Sequence, residues 1–357
     1  MYPYLIMLGL PAVLAYLTGR QTQAGIGLLV VFLLFTAVIG LRYEIGPDWW
    51  AYLNQLRVMP QQSLGTLAER GELGWAILVQ FSDSMGWGIH GLAIASGLVF
   101  CIGLFAIARA CQEPMLAVVA AVPYLSIAVA MSGMRQAMAI GIVFFLIAKW
   151  YRYPVWLKIV LVLVAASFHF SALALLLVVA LDSRMQLGRR IVAGAFVFAV
   201  VAWQVSTSDI RVDRYTRTYF EDGAAASAEG ALYHVLLTAV PCLAYFFMRR
   251  RWIELYGRIS IIDILAAIGV IALVFVFFFP TATDRMTLYF SAVALIIQGN
   301  FPQLWRGRTE QMLVRTGIVV LNAVAMMTFL IAGNKAGSFV PYKSVFSDEY
   351  ELGVSRR

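Results

Sequence analysis

The sequence predicts an all-α protein, a polytopic transmembrane helix bundle of about 11–12 spans. Three observations lead there. Hydrophobic residues make up 62% of the 357-residue chain and charged residues 13%, against about 25% charged in a soluble domain. A soluble chain of this composition would leave large apolar patches in water, a problem that lipid removes. The apolar residues fall in runs near the ~20 needed to cross a bilayer core. The basic residues sit in short connectors between those runs, as membrane topology requires. That placement accounts for the net charge of +8, makes membrane lipids the surroundings and excludes a nucleic-acid partner.

Taken in order, the expected spans are 3–18, 24–41, 89–108, 114–131, 134–149, 191–206, 231–248, 260–279, 285–300 and 313–332. The first run lacks a basic leader and a clear cleavage site, so it reads as a retained span. The stretch 155–181 is long for one span and short for two, and Ser167-Phe168-His169 interrupts it. It predicts a hairpin of two short helices with His169 near the tip. Charge supports the hairpin. With the N-terminus outside, 15 of the 27 Lys and Arg and five of the 19 Asp and Glu fall on the inside, Arg109, Arg184, Arg189, Arg190 and Arg249 to Arg251 among them. A single span would put the last two clusters outside, against the positive-inside rule.

Two outside segments are long. Residues 42–88 carry Trp49, Trp50, Trp75 and Trp87 and predict interfacial helices in a first large extracytoplasmic (periplasmic) loop. Residues 207–230, charged at first and then small and polar from Glu221 to Gly230, predict a second extracytoplasmic loop. With no repeat and no soluble stretch, 1–357 reads as one transmembrane domain. Cys101, Cys111 and Cys242 form no CxxC pair, which argues against a disulfide framework or a zinc site. With no HExxH and no DxD, the sequence offers no catalytic metal and no cofactor.

Four clusters carry chemistry, all on the outside face. In Arg42-Tyr43-Glu44-Ile45-Gly46-Pro47-Asp48-Trp49-Trp50-Ala51-Tyr52, Gly46-Pro47 makes a turn and Asp48 stands where a helix is capped. Asp48 and Tyr52 then share a face. The bland reading is a cap beside an aromatic belt; the functional one is a carboxylate that orients or deprotonates a hydroxyl. In Ser132-Gly133-Met134-Arg135-Gln136, Arg135 opens an apolar helix. It either snorkels to the surface or, with the helix N-terminus, holds a phosphate. His169 sits at the break of the hairpin, where broken membrane helices line cavities. A neutral imidazole there serves as a base or holds a hydroxyl. Asp284-Arg285 reads either as a local ion pair or, through Arg285, as a second anion-binding cation. His90, His234, Asp263 and Asn322 read as structural.

Taken together these residues resemble the EpsG family of Wzy-like bacterial exopolysaccharide and O-antigen polymerases. Arg42, Gly46, Asp48, Trp49 and Tyr52 form one matching piece; Arg135, Gln136 and Ala139 another; His169, Ser171, Ala172 and Leu173 a third. Arg285, Tyr289, Pro341 and Tyr342 match more loosely. Pro47 departs from the family pattern, which has a small or polar residue there. The resemblance implies a GT-C-like, metal-independent glycosyltransferase of the bacterial cytoplasmic (inner) membrane, with its site facing the periplasm or exterior. Its donor and acceptor would be undecaprenyl-diphosphate-linked oligosaccharides, and a chain-length regulator would be a further partner. Asp48, His169 and Arg135 would be catalytic, with Asp48 and His169 competing as the base. Arg42, Trp49, Tyr52, Gln136, Arg285, Tyr289 and Tyr342 would bind substrate. Three rivals share parts of the pattern: an O-antigen-type ligase, a membrane O-acyltransferase and, without catalysis, a lipid-linked oligosaccharide flippase. A ligase carries a larger late loop, an acyltransferase has no use for two arginines at a diphosphate, and a transporter places its charges near the midplane.

Overall fold

The computed structural model describes residues 1–18, 25–69, 71–182 and 228–347. These are helical, with no strand among them. The expected span 191–206 and loop residues 207–227 lie outside the described residues; residues 228–230 begin a helix.

The apolar runs among the described residues become helices. Helix α1 (Tyr2–Thr18) and helix α2 (Gly25–Gly40) come first, followed by α3 (Trp49–Val58), α4 (Leu64–Glu69) and α5 (Leu73–Ser84) in the first long loop. Helix α6 (Gly88–Arg109) and helix α7 (Pro114–Ala121) follow, and α7 runs on as a π-helix over Val122–Ala130. Then come α8 (Met134–Ala148), α9 (Val155–Phe168) and α10 (Leu175–Leu181). Beyond the undescribed stretch lie α11 (Ala228–Tyr256), α12 (Ser260–Phe275), α13 (Pro280–Phe290), α14 (Ala292–Gln298) and α15 (Arg308–Ala332). Among the described residues, three helices are long and apolar enough to cross a membrane unaided: Gly88–Arg109, Gly230–Tyr256 and Arg308–Ala332. The shorter apolar helices pack around them.

The stretch 155–181 is a hairpin. His169 is extended (φ −150°, ψ 116°) and ends α9, and a 3-10 turn over Phe170–Ala174 leads back into α10. The indole of Trp150, just before α9, donates to Asp182, just after α10. Both ends of the stretch therefore lie together, and His169 marks the far tip.

Glycines set how closely the central helices approach. A Cβ on Gly103 of α6 would fall on the backbone of Gly141 in α8, and one on Gly141 would fall on Val99. Without side chains there the two backbones touch, the small-residue packing that holds helices together in lipid. On another face of α6, a Cβ on Gly97 would lie 3.0 Å from Ile39 of α2. Helix α8, which carries Arg135 and Gln136, is thus seated against the central helix.

One end of the bundle is tied by charge. Glu113 is fully buried and accepts from Arg315 Nε (2.6 Å), Arg315 Nη2 (2.9 Å) and Gln303 Nε2 (2.7 Å). Asp263, expected to be an unremarkable polar residue, accepts from Arg249 through both oxygens at 2.8 Å and from Tyr245 Oη at 2.7 Å. Arg251 Nε reaches Leu304 O. Asn322 hydrogen-bonds Gln298 and Ile318 O in the interior.

Candidate functional site

The other end gathers the clusters singled out from sequence. It is built first by the chain leaving α2. Helix ends leave carbonyls without intrahelical partners, and here two side chains supply them. Arg42 Nη1 donates to Ile39 O, and Tyr342 Oη donates to Val38 O at 2.8 Å. Residues 338–345 are laced to 41–46 through Tyr43 N–Lys343 O, Val345 N–Leu41 O and Gly46 N–Ser338 O. Arg42 is wholly buried beneath this strap, close to Tyr4, Tyr52 and Tyr342. Burial lowers its pKa to about 10, and the same burial pushes the Tyr342 phenol up to about 12.

Gly46 then turns the chain. Its φ is +91°, and a Cβ would sit 2.6 Å from Met131 O and 2.7 Å from Ser132 Cα. Glycine alone fits both the left-handed backbone and the contact. The turn sets Asp48 against the start of α8, where Ser132 Oγ donates to Asp48 Oδ2 at 2.7 Å. Asp48 occupies the cap position of α3, yet its side chain makes no capping bond. The carboxylate faces Ser132 instead.

Trp49 and Tyr52 go inward. They pack with Trp75, Val79, Ile89, Leu92, Met134 and Met138, and Tyr52 and Trp75 rings lie 5.2 Å apart. The backbone N–H of Arg135 donates to Tyr52 Oη at 3.4 Å. Burial raises the Tyr52 pKa, with the Arg135 charge opposing.

Arg135 meets a partner that sequence reading missed. Its Nη1 donates to Glu72 Oε2, and Glu72 Oε1 accepts from the Phe170 backbone N–H at 3.3 Å. Glu72 itself is left-handed (φ 57°, ψ 45°), just before α5. A non-glycine residue held there is strained, and the carboxylate is what the strain delivers: one group clasping α8 to the break of the hairpin. His169 Nδ1 lies 2.7 Å from Ser171 Oγ, which donates to Tyr289 Oη at 3.1 Å. With the serine proton given to Tyr289, His169 Nδ1 must carry the hydrogen and Nε2 the lone pair. Arg135 and Arg285 both lie near enough to act on the charge of this imidazole.

Beside this network opens a cavity of 460 Å³, within the usual range of small-molecule sites. Asp48, Ser132 and Gln136 form one wall, Asp284 and Arg285 a second, and Lys335 contributes from the chain after α15. Gln136 Nε2 is buried with no hydrogen-bond partner among the described residues. Of the ten residues singled out, Asp48, Gln136 and Arg285 line the cavity. Arg135, His169 and Tyr289 form the network behind the wall. Arg42, Trp49, Tyr52 and Tyr342 are packed into the supports. Arg135 and Arg285, expected to meet one anion, are placed differently: Arg285 lines the cavity, whereas Arg135 is turned toward Glu72.

A second cluster, of which sequence reading had singled out Asp284 alone and paired it with Arg285, lines the cavity. Tyr124 of the π-helix stacks on His234 at 3.9 Å, and Asp284 Oδ1 accepts from both Tyr124 Oη (2.6 Å) and His234 Nδ1 (3.1 Å). The sequence signal available was a histidine opening an apolar helix, with a carboxylate 50 residues later; nothing local joins them. No group of three or more His, Cys, Asp or Glu able to hold a metal occurs among the described residues.

The family model for the EpsG family matches residues 26–344. That range takes in all but the last residue of the strap, the Gly46 turn, the hairpin and every wall of the cavity. The chain belongs to the EpsG family. Membership in the EpsG family carries a polysaccharide-polymerase-like function, and the apolar helices make this member a membrane protein. No curated protein and no solved structure matches the chain.

Proposed function

We propose that the protein is a GT-C-type polysaccharide polymerase that joins undecaprenyl-diphosphate-linked repeat units. The observation that carries the reading is one cavity, at one end of an apolar bundle, that holds a carboxylate (Asp48), an unpartnered amide (Gln136) and two cations (Arg285 and Lys335). A glycan on a lipid diphosphate needs these groups. Its sugar presents hydroxyls to Asp48 and Gln136. Its diphosphate gathers negative charge as the bond to the sugar breaks, and fixed cations stabilise that charge best where water is excluded. Arg285 and Lys335 supply it, so the reading needs no metal. Arg135 and His169 stand behind the wall and hold the α8 start and the hairpin tip in register. Asp48 remains a candidate to orient the attacking hydroxyl.

Orientation follows from charge. Arg249, Arg250, Arg251 and Arg315 lie toward the end away from the cavity. If that end faces the cytoplasm, as positive-inside topology prefers, the cavity faces the periplasm or exterior and the chain sits in the inner membrane. A chain-length regulator would meet it there. The test is Asp48→Asn and Arg285→Ala in a strain that depends on this protein for polymer, with protein level and folding checked alongside. Both variants are expected to shorten or abolish polymer. Full-length polymer from both would remove the cavity from the reaction, and dependence on an acyl donor would assign it to acyl transfer instead.

A further inference from the structure

We infer that His234, oriented by Asp284, is the group that takes the proton of the attacking sugar hydroxyl; this rests on the polymerase reading above and deepens it. His234 lines the cavity, and so do the residues on both sides of its ring. Its Nδ1 lies 3.1 Å from Asp284 Oδ1. A carboxylate oxygen accepts, so Nδ1 donates, and the neutral ring keeps its lone pair on Nε2. This is the tautomer that a carboxylate behind an imidazole enforces when the imidazole acts as a base. Tyr124 fixes the plane of the ring by stacking at an interplanar angle of 16° and shares the same Asp284 oxygen. It comes from a nine-residue π-helix, a rare form that concentrates at functional sites.

One helical turn before His234 stands Gly230, which also lines the cavity. A Cβ there would lie 3.2 Å from His234 Cε1, 3.7 Å from Nε2 and 3.8 Å from Nδ1. Glycine thus leaves room against the ring at the Cε1 corner between its two nitrogens. Neither rival base has this arrangement: His169 does not line the cavity, and Asp48 Oδ2 already accepts from Ser132.

The step balances. The acceptor hydroxyl oxygen forms a bond to the anomeric carbon of the donor. Its proton passes to His234 Nε2. The bond from that carbon to the phosphate oxygen breaks, and the electron pair leaves with the lipid diphosphate toward Arg285 and Lys335. The imidazolium, paired with Asp284, later returns its proton to water.

The test uses full-length protein in liposomes with a lipid-diphosphate-linked repeat unit, and follows initial rates against pH. The groups that face the ring are Asp284 and Arg285 on α13, Tyr124 on the π-helix and Tyr233 beside it, with Asp48 and Lys335 elsewhere on the cavity. Wild type sets the reference rate and pH–rate profile. His234→Gln should lower kcat by about 100-fold or more and change the shape of that profile, the usual result of removing a proton acceptor. Gly230→Ala removes no hydrogen bond and should lower kcat by crowding the imidazole, with KM for the repeat unit nearly unchanged. If both variants keep rates within about threefold of wild type and the wild-type pH–rate profile, the assignment of His234 as a base is wrong. If wild type makes no polymer from the repeat unit, the polymerase reading falls and takes this inference with it.

Discussion

Glu72 is the clasp of the site, and its removal has a calculable effect. Its side chain is 17% exposed and that of Arg135 32%. The pair therefore lies between a solvent-exposed ion pair, worth about 0–1 kcal/mol, and a buried one whose breakage costs about 3–5 kcal/mol. Glu72→Gln keeps an acceptor for the Phe170 N–H and removes only the charge, so we expect a loss of about 1–2 kcal/mol. Glu72→Ala also leaves that N–H without its acceptor, adding about 1 kcal/mol or more. The assay is thermal unfolding in detergent of Glu72→Gln, Arg135→Gln and the double variant. The double variant should be less destabilised than the sum of the singles by about 1–2 kcal/mol, because either single change already breaks the pair. Strict additivity would show that the two side chains do not act on each other and that the clasp is not what holds α8 to the hairpin tip.

Other predictions test the supports. Gly46→Ala should cost about 1–3 kcal/mol from backbone conformation alone, and it should cut polymerisation further by moving Asp48 off Ser132; unfolding temperature and initial rate together check this. Arg315→Ala leaves the fully buried Glu113 carboxylate with Gln303 as its remaining partner and should destabilise by about 3–5 kcal/mol; pairing it with Glu113→Gln should recover part of the loss in the same melt. Gly141→Val should prevent assembly, read as loss of monodisperse protein on size exclusion, because α6 and α8 touch through backbone there. Polymerisation should persist in excess chelator, since Arg285 and Lys335 carry the charge a metal would; a ladder abolished by chelator would refute that part of the mechanism.

Much of the fold was legible because its signal is local. An apolar run of the right length is a helix in lipid whatever it packs against, so α6, the α7 run and α15 fall where hydropathy places them. The hairpin was legible from charge together with the Ser167-Phe168-His169 break, and the Trp150–Asp182 bond closes it. The turn at Gly46-Pro47 and the delivery of Asp48 to the surface were legible for the same reason. What escaped were pairings between distant residues. Glu72 gave no signal because its partners, Arg135 and Phe170, lie 63 and 98 positions away. His234 read as structural because Tyr124 and Asp284 sit on other helices. Arg42 was expected to bind substrate, yet it is buried and serves the Ile39 carbonyl at the end of α2, the helix it follows. Trp49 and Tyr52 were expected to bind substrate or to form an interfacial belt, and the packing of α3 against α5 and α6 turns both inward. Sequence pattern reports which residues are unusual; only packing reports which of them face a cavity.

On the proposed reading this bundle forms glycosidic bonds at the expense of a lipid diphosphate. The most direct test is purified protein in liposomes, supplied only with the lipid-diphosphate-linked repeat unit, with polymer and released lipid diphosphate counted together. The expected result is a ladder that grows by whole repeat units, with one lipid diphosphate released for each bond formed and both signals lost in Arg285→Ala. Release of lipid diphosphate without a ladder, or no consumption of the repeat unit by well-folded protein, would contradict it.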